Sequence, residues 1–224
     1  MAAAAATITV LAGCNGAGKS SVAGAALEQR GGSYFNPDRV AGEIARVAMA
    51  GGHPMTTEQI NGEAWFRGFQ ALKRAITEGH DFAFETTLGG QSVTAELERA
   101  TAAGLVVRIW FVGLESIDLH IARVRSRVAR GGHDIPTERI IQRYRAAPSN
   151  LVRLLPGLAE LAVFDNSVEG DPASGAQPRP KKILHLVGGR LRAPADLNEL
   201  RNAPEWTRPI VLAALRKHAG IRAA

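Results

Sequence analysis

The sequence has a single cysteine, Cys14, among its 224 residues, so no disulfide can form within the chain. A chain without disulfides fits a reducing compartment, and we expect a cytoplasmic protein. No apolar run approaches the roughly 20 residues that a membrane-spanning helix needs, and we expect no membrane association. Residues 1–6, rich in alanine, have no basic segment ahead of them, which indicates a frayed terminus rather than a signal peptide.

Internal repeats and heptad runs are also absent, and the composition is that of an ordinary globular protein, with 46% hydrophobic and 21% charged residues. The length suits one α/β domain that can bury a core. The formal net charge is +6. Such a balance is compatible with a nucleic-acid partner or with a pocket for polyphosphates, and the positions of the arginines decide between these two.

The most informative stretch is residues 13–20, GCNGAGKS, which matches the phosphate-binding pattern G-x-x-x-x-G-K-[ST] at every specified position. Residues 7–11 before it are typical of a buried strand, and residues 21–30 after it of a helix. In this context backbone N–H groups form a concave anion site at a helix start. We expect ATP or GTP there, bound by Gly13, Asn15, Gly16, Ala17, Gly18, Lys19, Ser20 and Ser21. Lys19 is expected to reach the β- and γ-phosphates, and the Ser20 hydroxyl to coordinate Mg²⁺.

Strands and helices alternate along the rest of the chain. The pattern predicts strands at residues 33–35, 82–85, 105–114 and 161–164, and helices at residues 39–50, 92–103, 116–130 and 136–147. Thr56 and Gln59 have capping-box spacing at the start of a further long helix. The alternation predicts a doubly wound, mostly parallel sheet with helices on its faces.

Residues 1–167 are expected to form the core, including lid helices within residues 116–147. Residues 168–180 are rich in glycine and proline and indicate a loop. A terminal hairpin at residues 183–191 and a helix at residues 209–218, with Thr207 as a candidate cap, are expected to pack on the same domain.

Two carboxylates lie at the ends of predicted strands, Asp38 just past one and Glu85 as the last residue of another, at the edge of the sheet where ligands bind in such folds. Asp38 suits a general base that takes a proton from an attacking hydroxyl, although an N-cap of the following helix is an equally good interpretation. Glu85 could orient the acceptor hydroxyl or hold a water bound to Mg²⁺, and Thr87 lies beside it. The alternative for Glu85 is an ordinary surface carboxylate.

Three arginines, Arg123, Arg127 and Arg130, share one face of a predicted amphipathic helix. In phosphoryl transfer such arginines neutralise charge that develops on the transferred phosphate. The alternative is a solvated basic face or a nucleic-acid contact. Asn166 follows the last predicted strand and is a candidate contact to the base of the nucleotide.

The order of these motifs resembles the zeta-toxin family. The likeness covers about residues 7–166 and rests on the glycine-rich loop, Asn36-Pro37-Asp38, residues 84–87 (FETT), the arginine-rich lid and residues 131–136 (GGHDIP). It implies a P-loop kinase-like three-layer fold with a helical lid, and a kinase that phosphorylates a hydroxyl of a small metabolite, as the toxins do with UDP-N-acetylglucosamine. The resemblance implies that Asp38 is the catalytic base and that Lys19 binds the phosphates and takes part in catalysis. Arg127 and Arg130 would also be catalytic residues, and Arg123 would bind the nucleotide. An antitoxin is a candidate partner.

Glu85, Thr87 and His133, with Asp38, would contact the acceptor. Two positions depart from the family: the toxins carry an arginine where this chain has Gly89 and Gly90, and another before the lid proline, where His133 aligns. Glycine cannot replace the bidentate fork of an arginine. These two departures leave the identity of the acceptor undetermined. They do not affect the kinase reaction that the resemblance implies.

Two other functions compete with the kinase. A nucleotide-gated regulatory or nucleic-acid-binding P-loop NTPase would use the basic lid on DNA or RNA, with strong salt dependence. A bare NTPase switch would leave Asp38 without a task. We favour the kinase and do not expect a nucleic-acid partner, because the arginines share the face that should look into the nucleotide crevice.

Overall fold

The computed structural model describes residues 5–28, 32–132, 134–168 and 180–220. A mixed six-stranded sheet has the strand order β2-β1-β3-β4-β5-β6, with β1 to β4 parallel and the last two strands antiparallel. The strands are β1 (Thr7–Ala12), β2 (Phe82–Thr86), β3 (Val106–Gly113), β4 (Glu160–Asp165), β5 (Lys181–Val187) and β6 (Arg190–Ala193).

The helices flank this sheet. They are α1 (Ala25–Glu28), α2 (Pro37–Ala50), α3 (Thr57–Glu78), α4 (Gln91–Ala102), α5 (Ile117–Ala129), α6 (Thr137–Leu154) and α7 (Arg208–His218). A π-helical turn, Ser20–Gly24, leads into α1. The predicted α/β class and flanked, mostly parallel sheet are confirmed. The end of the predicted first helix, at residues 29 and 30, and most of the predicted loop, at residues 169–179, lie outside the described residues.

The central parallel strands are continuous apolar runs because helices cover both faces of the sheet. Ile8, Val10 and Leu11 of β1 are completely buried. β3 is interrupted only by Arg108, which is exposed and lies near Glu160 on the neighbouring strand. Because β1 and β2 are parallel neighbours, their carboxyl ends meet at one edge of the sheet, the edge where ligands bind in such folds.

The predicted strand at residues 33–35 is reduced to one bridge between Phe35 and Phe84. Phe35 donates its N–H to Ala83 and accepts from the Glu85 N–H, at 2.8 and 2.9 Å. Pro37 already begins α2, so the chain cannot extend the pairing.

Asn36, rather than Asp38, caps α2. Its side-chain oxygen accepts from the N–H groups of Asp38 and Arg39 at 2.9 and 3.2 Å. The N-cap interpretation of Asp38 is therefore wrong, since Asp38 lies inside the first turn. The capping box of α3 is confirmed, with reciprocal bonds between Thr56 and Gln59.

α6 continues beyond residue 147, where the prediction ended it. Pro148 lies inside the helix and removes one backbone hydrogen bond, at a cost of about 3 kcal/mol. Burial of Leu151 and Leu154 on the core contributes about 1.5–3 kcal/mol for each side chain and offsets that loss. Tertiary packing thus overrides the local preference.

The C-terminal segment joins the same core. β5 and β6 form the predicted hairpin, and Ile183, Leu184 and Ile210 belong to the main buried cluster. Thr207 occupies the N-cap position of α7, as predicted, but its side chain makes no capping hydrogen bond. Its hydroxyl donates instead to the Pro204 carbonyl at 2.6 Å. No helix in the described ranges is both long and apolar enough to cross a membrane.

Lys217 of α7 fixes the C-terminal helix to the end of α6. Its ammonium donates to the carbonyls of Leu155, Pro156 and Leu158 at 2.8, 3.0 and 2.8 Å. Partial burial lowers the pKa of Lys217. These three carbonyls end a helix and have few alternative donors.

We expect Lys217→Met to lower the free energy of unfolding by about 1–3 kcal/mol, because the methionine keeps the apolar stem but leaves the carbonyls without their donor. Urea denaturation measures the change. Arg216→Met, at an exposed position one residue earlier, is the control and should change stability by less than about 0.5 kcal/mol. Equal losses in both variants would contradict this role of Lys217.

Candidate nucleotide-binding and active site

The glycine-rich loop lies between the end of β1 and the π-helical turn. The Gly13 N–H donates to the Thr86 carbonyl, and Ala17 N–H to the Cys14 carbonyl, both at 3.2 Å. Gly16 and Gly18 have φ of 81° and 84°, in the left-handed region. A Cβ on Gly18 would also lie 2.6 Å from Asn166 Nδ2. The backbone conformation at Gly16 and Gly18 and the space at Gly18 both disfavour a larger side chain. The backbone N–H groups of the loop therefore stay accessible to an anion.

Lys19, Ser20 and Glu85 form a compact cluster above this loop. Lys19 is buried; its ammonium lies 3.4 Å from Glu85 Oε1 and donates to the Cys14 carbonyl at 3.4 Å. The Ser20 hydroxyl donates to Glu85 Oε2 at 2.7 Å. Asn36 Nδ2 reaches the same carboxylate oxygen at 3.4 Å. Glu85 therefore lies beside the predicted Mg²⁺ ligand and is not an ordinary surface carboxylate.

Asp38 and Arg127 form an ion pair across the cleft. Arg127 Nη1 lies 3.0 Å from Asp38 Oδ2, and the Asp38 side chain is 60% exposed. The carboxylate is therefore accessible from the cleft while a lid arginine from α5 is already in contact with it. The sequence-predicted base and the sequence-predicted lid arginine meet here.

The cleft has a volume of about 1400 Å³, and its lid side is strongly cationic. The three arginines of the predicted stripe all line it, together with two from α6 that were not predicted: Arg123, Arg127, Arg130, Arg139 and Arg143. Arg125, off the predicted stripe, is exposed and not part of the lining. Ser21, Thr87 and Asn166 also line the cleft. His133 lies outside the described residues.

Arg143 connects α6 to the glycine-rich loop. Its Nη1 donates to Asn15 Oδ1 at 2.7 Å, and burial lowers the pKa of its guanidinium. The stem of Arg143 passes over Gly89, where an added Cβ would lie 2.7 Å from Arg143 Cγ. A larger residue at position 89 would require this side chain to move, which gives a steric reason for the glycine there.

His120 contacts the backbone of the glycine-rich loop at Asn15. Its Nδ1 lies 2.6 Å from the Asn15 carbonyl oxygen, so the neutral ring donates its Nδ1 hydrogen to the loop. Burial, with further contributions from Lys19 and Arg123, lowers the pKa of His120 to about 4. The imidazole is therefore neutral at pH 7.

Cys14 and Asn166 also pack against the loop. Cys14 is buried, its thiol donates to the Ile140 carbonyl at 3.5 Å, and burial raises its pKa. Asn166 is buried too, and its amide nitrogen donates to the Ala17 carbonyl at 2.9 Å. A contact from Asn166 to the base would thus depend on its side-chain oxygen.

Sequence reasoning gave no role to Asn36, which it quoted only within the family motif, and it did not identify His120, Arg139 or Arg143. The Asn-Pro sequence at residues 36–37 is a recognisable helix start and could have indicated the cap. His120 and Arg143 carry no local signal, since they lie 105 and 128 residues from Asn15.

Comparisons with known proteins identify a family and a fold for this chain. A family model described as "Zeta toxin" matches residues 3–167. An uncharacterized protein of Haemophilus influenzae is 28% identical over 134 residues, covering 59% of this chain and 88% of that protein.

The fold is also found in crystal structures of the AvrRxo1-ORF1:-ORF2 complex. In the native complex the similar chain is 13% identical with a TM-score of 0.65, covering 97% of this chain and 76% of that one. In the structure with ATP the similar chain is 16% identical with a TM-score of 0.62, and the match covers 95% of this chain and 76% of that one. At these identities the likeness concerns the fold alone.

We expect the protein to lose stability as the pH falls from about 6.5 towards about 4, because His120 takes up its proton more readily in the unfolded chain. The unfolded state then binds more protons than the folded state. The loss due to this residue should be about 1–3 kcal/mol over that range. Urea denaturation at several pH values measures it.

His120→Gln, which keeps an N–H donor for the loop, should flatten this part of the pH profile. His53→Gln, at an exposed position, should leave the profile as in the unchanged protein. A profile that stays equally steep in the His120 variant would show that other groups cause the acid sensitivity.

Proposed function

The chain belongs to the zeta-toxin family, and from that premise we propose that it is an ATP-dependent kinase that transfers the γ-phosphate to a hydroxyl group of a small metabolite. The observation that carries the proposal is the ion pair of Asp38 with Arg127 in the cleft that the glycine-rich loop also lines. A carboxylate and a lid arginine held together beside a phosphate site are the groups that phosphoryl transfer to an alcohol requires.

In the proposed reaction Asp38 accepts the proton of the acceptor hydroxyl as its oxygen bonds to the γ-phosphorus. The bond from that phosphorus to the β–γ bridging oxygen breaks, and ADP leaves. Lys19 contacts the β- and γ-phosphates, and Arg123, Arg127, Arg130 and Arg143 neutralise charge on the transferred group. Binding of ATP would draw Arg127 from Asp38 towards the γ-phosphate and so release the base.

Mg²⁺ fits the residues present. The Ser20 hydroxyl and Glu85 carboxylate are hard oxygen groups 2.7 Å apart, and Mg²⁺ is commonly bound through one or two such groups and the substrate phosphates. The ion would supply neutralisation of phosphate charge. Of the two roles open to Glu85, its contact with Ser20 favours the one at the metal.

A regulatory or nucleic-acid-binding NTPase has less support. The three arginines of the predicted stripe line the nucleotide cleft, where they are matched to phosphates of a bound nucleotide rather than to a long polyanion. An antitoxin-type partner remains part of the proposal, because solved structures with this fold include a two-protein complex.

The acceptor is the least constrained part of the proposal. UDP-N-acetylglucosamine, which the resemblance implies, is the first compound to test. Incubation with labelled ATP and a metabolite extract, followed by mass spectrometry for a new phosphate ester, tests the kinase function without assuming an acceptor. ATP hydrolysis with no ester formed would contradict the kinase and favour a simple NTPase.

We expect Asp38→Asn to slow phosphoryl transfer at least about a hundredfold, because a positioned base contributes ~10²–10⁴ in rate. The melting temperature should change little, since Asn36 caps the helix and the ion pair is exposed. Initial rates of ester formation, with ATP affinity measured by calorimetry, are the readouts.

Glu43→Gln, an exposed substitution on the same helix, is the matched control and should transfer phosphate normally. Lys19→Ala should lose transfer by ~10²–10³ and also weaken ATP binding. If Asp38→Asn transferred phosphate at the original rate, the site would have no identified base.

We expect Arg127→Ala to slow transfer by about 10³-fold or more while changing ATP affinity much less, because its charge acts mainly on the transition state. Arg125→Ala, two residues away and outside the cleft lining, isolates the effect of position. Similar rate losses in both variants would indicate a general electrostatic effect and remove Arg127 from the mechanism.

A further inference from the structure

The two sides of the cleft differ in charge. Lys19 and five arginines lie in its lining, against the carboxylates of Asp38, Glu85 and Asp134. The residues that α3 contributes are all uncharged: Asn61, Ala64, Trp65, Gly68, Phe69 and Leu72. One side of the cleft is therefore built for phosphates and the other for a neutral group.

Trp65 and Phe69 give the α3 side a flat aromatic surface. They lie one turn apart on the helix, with ring centroids 5.0 Å apart and planes inclined by 11°. Phe69 is half-buried, whereas Trp65 is 48% exposed although it lines a cleft. A large aromatic ring that is backed by a second ring and open on its other side is a stacking surface.

This surface lines the same cleft as the proposed base. Ala41, one turn beyond Asp38 on α2, and Ala64, the neighbour of Trp65, belong to one buried cluster. The packing of α2 on α3 thus joins the helices that carry Asp38 and Trp65, and both residues line the same cleft. A single small molecule could place a hydroxyl at Asp38 and a ring on Trp65.

The charge distribution argues against a diphosphate on this side. The phosphates of one bound ATP would use much of the positive charge at the lid side. Position 89 adds no further charge, because Gly89 admits no larger side chain while Arg143 passes over it. An acceptor diphosphate lying along α3 would meet no cationic side chain among the residues that this helix contributes to the cleft lining. Lys73 of α3 lies over the Phe69 ring, 6.0 Å from its centroid, but is not part of that lining.

We propose that Trp65, backed by Phe69, is the acceptor subsite and stacks on a flat, uncharged ring. This inference rests on the proposed kinase function and names its acceptor class: a neutral alcohol that carries an unsaturated ring, the chemistry of a nucleoside, rather than a sugar nucleotide. Trp65 determines the acceptor specificity. The phosphoryl transfer itself, with Asp38 as the base, is unchanged.

The test is a kinase assay on purified full-length protein with MgATP and a panel of acceptors. Nucleosides and phenyl glycosides represent the two sources of a neutral ring. Glycerol represents an acceptor without a ring. UDP-N-acetylglucosamine represents an acceptor whose ring is joined to a diphosphate. Phosphate esters are detected by mass spectrometry. We expect transfer to a ring-bearing neutral alcohol in preference to the other two.

Trp65→Ala should raise KM for the ring-bearing acceptor about 10- to 100-fold, the range typical of lost aromatic stacking, with KM for ATP within about twofold of the original. Trp65→Phe should recover most of the affinity, since it keeps a stacking surface. Phe66→Ala is the matched control: Phe66 is exposed on the same helix but is not part of the cleft lining, so KM should not change.

A binding readout is independent of catalysis. With a non-hydrolysable ATP analogue bound, a ring-bearing acceptor should quench tryptophan fluorescence in the original protein but not in Trp65→Phe. Trp110 and Trp206, both half-buried, remain as the background in that variant.

Two results would overturn the inference while the kinase function stands. One is ester formation only on UDP-N-acetylglucosamine, on glycerol or on a ringless compound of a metabolite extract. The other is an unchanged acceptor KM in Trp65→Ala. Absence of any ester from both the panel and the extract would overturn the inference and the kinase function together.

Discussion

The site depends on one constraint, the fixing of the glycine-rich loop by side chains that are distant in sequence. His120 and Arg143 hold the carbonyl and the side chain of Asn15, and Asn166 holds the Ala17 carbonyl. A phosphate-binding loop works because its N–H groups point inwards before the anion arrives. The three contacts occupy outward-facing acceptors of the loop and keep that arrangement in place.

Glu85 balances the charge of Lys19 within the same site. Lys19 is buried, and a buried ammonium needs a partner close by. Glu85 supplies it at 3.4 Å and simultaneously accepts from Ser20. The groups proposed for phosphate and metal therefore satisfy one another in this structure.

The C-terminal segment supports the site indirectly. Asp165, at the end of β4 and next to Asn166, accepts from Trp206 Nε1 at 3.1 Å and from the Ser167 hydroxyl at 2.6 Å. The Trp206 ring also covers Gly113, where an added Cβ would lie 2.4 Å from it. Residues beyond the match to the family thus hold the strand end from which Asn166 reaches the loop.

The sequence by itself determined the glycine-rich loop, the α/β class and most helix positions, because these follow from local patterns of glycine, apolar period and capping residues. It also indicated Asp38 and the arginine stripe, since both follow from position in a parallel sheet or on a helix face. Local reasoning erred where packing overrides it, as at Pro148 in α6.

Only the tertiary structure decided which distant groups meet. Asp38 and Arg127 are 89 residues apart, and His120 and Arg143 lie more than 100 residues from the loop they support. No periodicity relates such positions, because contact between them depends on how α5 and α6 pack across the sheet edge. Chemistry that depends on charge and hydrogen bonds within about 3 Å is therefore set by that packing.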